Sequence, residues 1–223
     1  GPSKIRGEVS ISGSKNAALP ILAATLLFDK NVTIKNLPRV KDIDTMLNLI
    51  KSLGKNISFK NNKKIATISK GKKNNFFAPY SLVKTMRAGI LVLGPLLAKN
   101  KKAKVSSPGG CSIGVRPIDI HLKAISKLGV KIQIEKGYVN AKAQEGLVGS
   151  EIRFSKISVG ATENLILAAC LAKGTTTIKN CAIEPEIKDL TNFLKTAGAK
   201  IKWIGKRTLK IEGVKQLKSI TYS

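Results

Sequence analysis

An internal repeat constrains the fold of this chain more than any other feature. Three segments place apolar residues eleven, four and one positions before a glycine, and the glycines are Gly54, Gly129 and Gly198. These are the spacings of one helix face that is closed by a C-terminal glycine. A β-type run follows each glycine, and another strand and an apolar helix precede each predicted helix. The pattern predicts one unit, helix–strand–helix–strand–strand, used three times.

The three units predict an α/β fold in one domain. We expect the domain to cover residues 1–223, with repeats at about 12–70, 80–145 and 156–213. The first helices of the units are predicted over 17–27, 86–98 and 162–172, and a strand is predicted over 8–11. If the units pack around a pseudo-threefold axis, the starts of these first helices converge at one end of the domain.

The middle repeat is longer than the other two. Its strand residue Val105 lies 24 positions before its glycine, against 20 positions in the first and third repeats. The extra residues fall in the loop 108–114, and an added loop on a repeated scaffold often carries function.

That loop reads Pro-Gly-Gly-Cys-Ser-Ile-Gly and is followed by Arg116. Glycine lets backbone N–H groups approach an anion, and arginine binds phosphate bidentately. The Cys111 thiol would supply a nucleophile or a proton donor. The combination indicates chemistry on an anionic substrate. The alternative is a glycine turn with a small buried cysteine.

Polar groups also begin the first helix of each repeat. Lys15 and Asn16 fall in the first turn after Ser12-Gly13-Ser14, where an anion would dock. The alternative is an ordinary N-cap by Ser12 or Ser14 with a solvated lysine. Arg87 enters the second apolar helix at a position like that of Lys15, and the stretch 158–164 begins the third.

Composition narrows the function classes. The net charge is +27, but the lysines are scattered over every segment and aromatic residues make up only 4%, which disfavours a nucleic-acid-binding module. No apolar run approaches the length of a membrane span, and no signal peptide is visible. Three widely spaced cysteines support neither disulfides nor a zinc site, and Cys170 is predicted to be core. We expect a cytoplasmic protein.

Five segments together resemble the bacterial UDP-N-acetylglucosamine enolpyruvyl transferase family, from residue 1 to about residue 217. They are SGSKNAALPILAA, PYSLVKTMRAGILVLGPLLA, PGGCSIGVRPIDIHL, SVGATENLILAA and EPEIKDLTNFLKTAGA. The resemblance implies an inside-out α/β prism with pseudo-threefold symmetry, in which helices lie inside and sheets outside.

The resemblance also implies a reaction. The enolpyruvyl group of phosphoenolpyruvate would pass to the 3′-hydroxyl of UDP-N-acetylglucosamine with release of phosphate, the first committed step of peptidoglycan precursor synthesis. Addition would give a tetrahedral intermediate and elimination the enol ether. The partners would be these two substrates, with no cofactor, metal, membrane or specific nucleic acid.

Site residues follow from the same resemblance. Lys15 and Arg116 would bind the phosphate and carboxylate of phosphoenolpyruvate, with Arg87 beside them, and Asn16 would orient sugar hydroxyls. Cys111 would act as general acid, form an adduct with phosphoenolpyruvate and be alkylated by fosfomycin. The uridine diphosphate part would be held by Arg116, Pro117, Ile118, Asp119, Ile120, Lys156, Ser158, Val159 and Gly160. Glu184 and Glu186 would lie near the rim.

The chain is shorter than the family pattern, which has two such domains of three repeats. We therefore expect a truncated or split form without the second domain and its general-base aspartate, completed by a second polypeptide. The alternatives are a catalytically silent remnant and a basic nucleic-acid-binding module. His121 could serve as a base by its chemistry, but its apolar setting favours a structural role.

Overall fold

A computed structural model describes residues 6–9, 11–107 and 118–223, and the predicted unit occurs in it three times. The first copy consists of α1 (Lys15–Ala24), β1 (Val32–Ile34), α2 (Lys41–Ser52), β2 (Lys55–Lys60) and β3 (Ile65–Lys70). The second consists of α4 (Leu93–Asn100), β5 (Lys102–Ser106), α5 (Asp119–Ser126), β6 (Lys131–Glu135) and β7 (Tyr138–Lys142), and it is preceded by β4 (Phe77–Ala78), α3 (Tyr80–Val83) and a 3-10 segment (Arg87–Val92). The third consists of α6 (Val159–Ala169), β9 (Thr175–Lys179), α7 (Pro185–Thr196), β10 (Lys200–Gly205) and β11 (Thr208–Glu212), with β8 (Glu151–Arg153) before it and β12 (Ile220–Tyr222) after it.

The three repeat glycines end their helices as predicted. Gly54, Gly129 and Gly198 have φ values of +101°, +84° and +95°. This left-handed conformation suits glycine because it carries no Cβ. The strands β2, β6 and β10 then start within two residues of the glycines, which confirms the local pattern in each copy.

Each unit builds its own mixed sheet. The strand orders among the described residues are β12-β1-β3-β2, β4-β5-β7-β6 and β10-β11-β9-β8. In each sheet three strands pair antiparallel, and the fourth pairs parallel at one edge. That fourth strand lies in the segment directly after the preceding unit in the sequence. The last strand, β12, joins the first sheet, with Ile220 opposite Val32, so the units close in a ring.

Helices occupy the interior of this ring. Residues 18–24 of α1 and 161–169 of α6 are buried all around, and most of them are apolar, as expected of helices in a protein interior. The strands instead carry one buried and one more exposed face, as in β7. The expected α/β fold is therefore confirmed.

Two local predictions were wrong. The helix predicted over 86–98 starts as the 3-10 segment and becomes α-helical only at Leu93. Pro95 lies in the first turn of α4, where proline is tolerated because the backbone N–H that it lacks has no partner within the helix there. The strand predicted over 8–11 is not formed at residues 8, 9 and 11, where Val9 and Ile11 are 88% and 84% exposed.

Candidate functional site

The starts of the three first helices converge on one cavity of about 600 Å³. Lys15 and Asn16 belong to the first turn of α1, and Arg87 begins the 3-10 segment. The third wall is the beginning of α6, residues 158–160. The sequence predicted this convergence only for units packed around a common axis. The three units form a ring, so their helix starts meet.

Ser14 and Asp42 organise the wall at α1. Ser14 is the N-cap, and its Oγ accepts a hydrogen bond from the Ala17 N–H at 3.4 Å. The Lys15 Nζ lies 2.9 Å from Asp42 Oδ2 in the first turn of α2, with both side chains more than one-third exposed. A pair this exposed contributes about 0.2–1 kcal/mol. Ser14 thus caps the helix that carries Lys15, and Lys15 is paired with Asp42. Because this pair is weak, a bound anion can take the place of Asp42.

The wall at α6 is tied to its neighbours through Ser158 and Thr162. Ser158 is the N-cap and accepts from the Ala161 N–H at 3.3 Å. The Thr162 hydroxyl donates to the Ser158 carbonyl at 2.8 Å and accepts from the Ala182 N–H at 3.1 Å. This bond links the start of α6 to the segment before α7, whose first turn brings Glu186 to the cavity.

A buried asparagine determines which ring nitrogen of His121 carries the proton. His121 belongs to α5 and lines the cavity. The Asn164 Oδ1 accepts from the Gly94 N–H at 2.7 Å, and its Nδ2 donates to the Ile90 carbonyl at 3.0 Å. These two partners orient the amide, so the same Nδ2, 3.3 Å from His121 Nδ1, donates to that nitrogen. The neutral imidazole therefore carries its proton on Nε2.

Burial and charge keep His121 neutral. The residue is 4% exposed, and burial, followed by the positive charge of Arg87, lowers its pKa to about 4. The ring also packs against the start of α6, because a Cβ on Gly160 would lie 3.2 Å from His121 Cε1. His121 adds no charge to the cavity at neutral pH, but it offers a hydrogen-bond donor.

Glu163 is a wall residue that the sequence reasoning did not single out. It is 5% exposed, and burial, with Glu186 and Glu184 nearby, raises its pKa to about 8. The carboxyl group is therefore mostly protonated at neutral pH. The available signal was a glutamate within an otherwise apolar helix, since such a residue is seldom buried without a special environment. Asp42 was missed for a different reason, because α2 looks like an ordinary amphipathic helix.

The predicted site residues divide into three groups. The cavity wall contains Lys15, Asn16, Arg87, Ser158, Val159, Gly160 and Glu186. Adjacent to the wall, but not among its described residues, are Ile118, Asp119 and Ile120 before His121, Lys156 before α6, and Glu184 as the N-cap of α7. The third group, Cys111, Arg116 and Pro117, lies outside the described residues.

Two other features are absent from the described residues. No group of three or more His, Cys, Asp or Glu side chains in this part of the chain is placed to hold a metal ion. No helix there combines the length and the apolar character that a membrane crossing needs.

The fold is that of a known class of protein. A sequence model of the EPSP synthase (3-phosphoshikimate 1-carboxyvinyltransferase) family matches residues 1–223. The chain belongs to this family.

Curated relatives within the family carry a more specific name. A protein of Pelagibacter ubique (strain HTCC1062), named UDP-N-acetylglucosamine 1-carboxyvinyltransferase, is 66% identical over 223 residues, which are 100% of this chain and 53% of the relative. A protein of the same name from Psychrobacter sp. (strain PRwf-1) is 52% identical over 225 residues, covering 100% of this chain and 52% of that protein. The chain thus spans about half the length of the curated relatives it matches.

Solved structures support the fold. The enolpyruvyl transferase of Streptomyces tendae superposes with a TM-score of 0.82 at 21% identity, over 100% of this chain and 52% of that one. An EPSP synthase of Acinetobacter baumannii gives 0.77 at 19% identity, over 97% of this chain and 48% of the other. At these identities the likeness shows the shared fold alone.

Proposed function

We propose that this chain forms half of a UDP-N-acetylglucosamine 1-carboxyvinyltransferase. Such an enzyme transfers the enolpyruvyl group of phosphoenolpyruvate to the 3′-hydroxyl of UDP-N-acetylglucosamine and releases phosphate, at the entry to peptidoglycan precursor synthesis in the cytoplasm. The observation that carries the proposal is the convergence of the three repeat helices on one cavity lined by Lys15 and Arg87, in a chain 66% identical to a relative of that name.

The cavity suits a substrate that carries a phosphate and a carboxylate. Lys15 and Arg87 approach it from two different repeats. Arginine can bind a carboxylate or a phosphate through two parallel hydrogen bonds, and lysine adds a compact positive charge. The N-terminus of α1 adds backbone N–H groups and positive potential. We assign phosphoenolpyruvate to these groups, with Arg116 as the third cation that the motif predicts.

The reaction assigns different tasks to the remaining groups. The 3′-oxygen bonds to C2 of phosphoenolpyruvate while C3 takes a proton, and Cys111 is the proposed donor of that proton. Loss of a proton from C3 then re-forms the C2–C3 double bond, and phosphate leaves as the bond between C2 and the phosphate oxygen breaks. Fixed cations stabilise the charge on the substrate through both steps. His121, neutral with its proton on Nε2, orients a substrate oxygen by hydrogen bonding in this proposal.

The sugar nucleotide is assigned to the α6 side of the cavity. Residues 158–160 line the cavity at a helix start, and the backbone N–H groups and positive potential of a helix start suit a diphosphate. Asn16 would orient sugar hydroxyls from α1, while Ile118, Asp119, Ile120 and Lys156 would extend the contact, with Pro117. Glu184 and Glu186 would border the rim. The rest of the enzyme, including the base for the 3′-hydroxyl, would come from a second domain or a second polypeptide.

Binding and turnover test the proposal separately. Isothermal titration of phosphoenolpyruvate is expected to show at least tenfold weaker binding to Arg87→Ala and Lys15→Ala, and unchanged binding to Lys202→Ala, which removes an exposed lysine elsewhere. Phosphate release with both substrates is expected only when the second domain is supplied, and Cys111→Ser is expected to abolish it there. Binding without release by the unmodified chain would support the half-enzyme. Absence of both, or equal binding by all variants, would contradict the proposal.

A further inference from the structure

A second cavity, of about 320 Å³, lies at the other end of α1 from the candidate active site. It is lined by residues that follow α1, by the end of α4 and by strands β2 and β3 with the segment after them. Since α1 rises about 1.5 Å per residue, its ten residues place the two cavities roughly 15 Å apart along the helix. The second cavity is therefore separate from the proposed reaction centre.

The charge in this cavity is strongly unbalanced. Among the described residues, five lysines line it against the single carboxylate of Asp29, and they are Lys55, Lys70, Lys72, Lys73 and Lys99. Asp29 is already shared, since its two oxygens lie 3.0 Å from Lys70 Nζ and 2.6 Å from Lys99 Nζ. The hydrogen bond from Lys99 is the main cause that lowers the pKa of Asp29. Asp29 thus positions two ammonium groups and leaves the other three cations without a carboxylate in the cavity.

Lys55 is the unusual member of this set. The residue is 8% exposed, and its Nζ donates to the Phe28 carbonyl. Burial is the main cause that lowers its pKa to about 8, and Lys99 and Lys70 act in the same direction against Asp29. An ammonium has three N–H donors, so Lys55 retains donor capacity beyond the Phe28 bond.

The repeat shows that this position does not require a charge. Lys55 directly follows Gly54, and the residues that follow the equivalent glycines are Val130 and Ala199. Val130 is 6% exposed and Ala199 is 8% exposed, so the position is buried in all three units. Two units fill it with an apolar side chain. The first unit places a buried lysine there, although burial of a cation is unfavourable.

From these observations we propose that the second cavity binds a small phosphate-bearing anion between Lys55, Lys70 and Lys99, with Lys72 and Lys73 at its mouth. Lysine binds phosphate as a compact charge, and the apolar side chains in the wall, such as Leu53 and Leu96, strengthen that attraction by excluding water. The volume is at the lower end of the range for small-molecule sites, about 300–1,000 Å³. Inorganic phosphate and a small phosphate monoester share the required chemistry.

A lysine side-chain NMR titration tests the site. All measurements use the 223-residue chain with Lys15→Met, which removes a cation of the candidate active site and keeps this test independent of the proposed function. The probes are inorganic phosphate and glycerol 3-phosphate, at constant ionic strength with chloride. The resonances of Lys55, Lys70 and Lys99 are expected to move together with one dissociation constant. Tighter binding of the monoester would identify a phosphorylated metabolite as the ligand class, and tighter binding of inorganic phosphate would identify free phosphate.

Lys55→Met is the decisive variant, because the other two units show that an apolar residue fits this position. Its melting temperature without phosphate is expected to equal or exceed that of the parent. At about twenty times the dissociation constant, phosphate should raise the melting temperature of the parent by about 5 °C, and Lys55→Met should lose at least half of that rise. Lys202→Met, with the same change in charge, should retain it. Equal rises in all three proteins, or shifts of Lys70 and Lys99 that persist unchanged in Lys55→Met, would overturn the proposal.

Discussion

At the scale of single residues, the candidate site contains two buried titratable groups whose pKa values are displaced in opposite directions. Burial lowers the pKa of His121 and raises that of Glu163, because in both cases it disfavours the charged form. Both side chains are therefore neutral over most of the physiological range. The formal charge of the described wall then comes from Lys15, Arg87, Asp42 and Glu186.

Glu163 gives a prediction for stability. Its pKa is about 8 in the folded chain against an ordinary value of 4.5, so between these values the native state holds more protons than the unfolded chain. The free energy of unfolding must fall as the pH rises through this range. From pH 6.5 to 8 we expect Glu163 to contribute a loss of about 1.6 kcal/mol, because the slope of about 1.4 kcal/mol per pH unit falls to half at the pKa of the group. Urea unfolding across this interval measures it.

Glu163→Gln is the matched variant, since glutamine is neutral at every pH and similar in shape. It should lack the loss that Glu163 causes over the same interval. The interval begins at the ordinary pKa of His121, 6.5, and ends at the lowered pKa of Lys55, about 8, but these two groups contribute equally to both proteins and cancel in the difference between the two pH profiles. Parallel pH profiles for the two proteins would show that Glu163 does not titrate as described.

At the scale of elements, the close approach of α4 and α6 holds the cavity wall in place. A Cβ on Gly94 would lie 2.4 Å from the Asn164 carbonyl oxygen and 2.7 Å from its Oδ1. Only glycine leaves room for this approach. Asn164 connects this contact between α4 and α6 to the candidate site, because the same side chain donates a hydrogen bond to His121.

Gly94→Ala should therefore destabilise the protein by about 3 kcal/mol, from overpacking and the loss of a buried hydrogen bond. It should also change the His121 ring ¹⁵N shifts, because the amide that sets the tautomer moves. Gly129→Ala is the control, since open space surrounds its Cβ position and only the positive φ opposes alanine. We expect about 1 kcal/mol there, with unchanged His121 shifts. A larger effect at Gly129 than at Gly94 would contradict the packing argument.

At the scale of the whole molecule, β12 joins the end of the described chain to its first sheet. It pairs in parallel with β1, and the Ser219 hydroxyl donates to the Asn31 carbonyl at 2.6 Å. The Tyr222 hydroxyl donates to Asp189 Oδ1 at 2.6 Å, while its ring packs edge-on against Phe193. These contacts connect the first and third units directly.

Truncation after Lys218 should therefore lower the free energy of unfolding by about 3 kcal/mol and the melting temperature by about 10 °C. Truncation after Tyr222 removes only Ser223 and should have no measurable effect. Differential scanning calorimetry measures both. It also tests the prediction of one domain, for which the intact chain should show a single transition with equal calorimetric and van't Hoff enthalpies. Two separated transitions would contradict that prediction.

The features that the sequence predicted correctly depend on interactions between residues close together in the chain. The glycine-closed helices and the strands after them were predictable, because helical periodicity and the left-handed preference of glycine act over a few neighbouring residues. The polar starts of the first helices were visible for the same reason. The start of α4 at Leu93 was not predictable, because the apolar run 86–98 does not show where a 3-10 segment gives way to an α-helix.

By itself, the sequence determined the α/β class, the order of elements within the repeated unit and the three polar helix starts, since each of these depends on local periodicity and residue type. Only the tertiary structure decided that these starts share one cavity, because the ring is closed by β12, which is distant from β1 in sequence. It alone also decided that Lys55 and Glu163 are buried. Burial is a property of the surrounding elements, and their approach raises or lowers a pKa in ways that no short stretch of chain encodes.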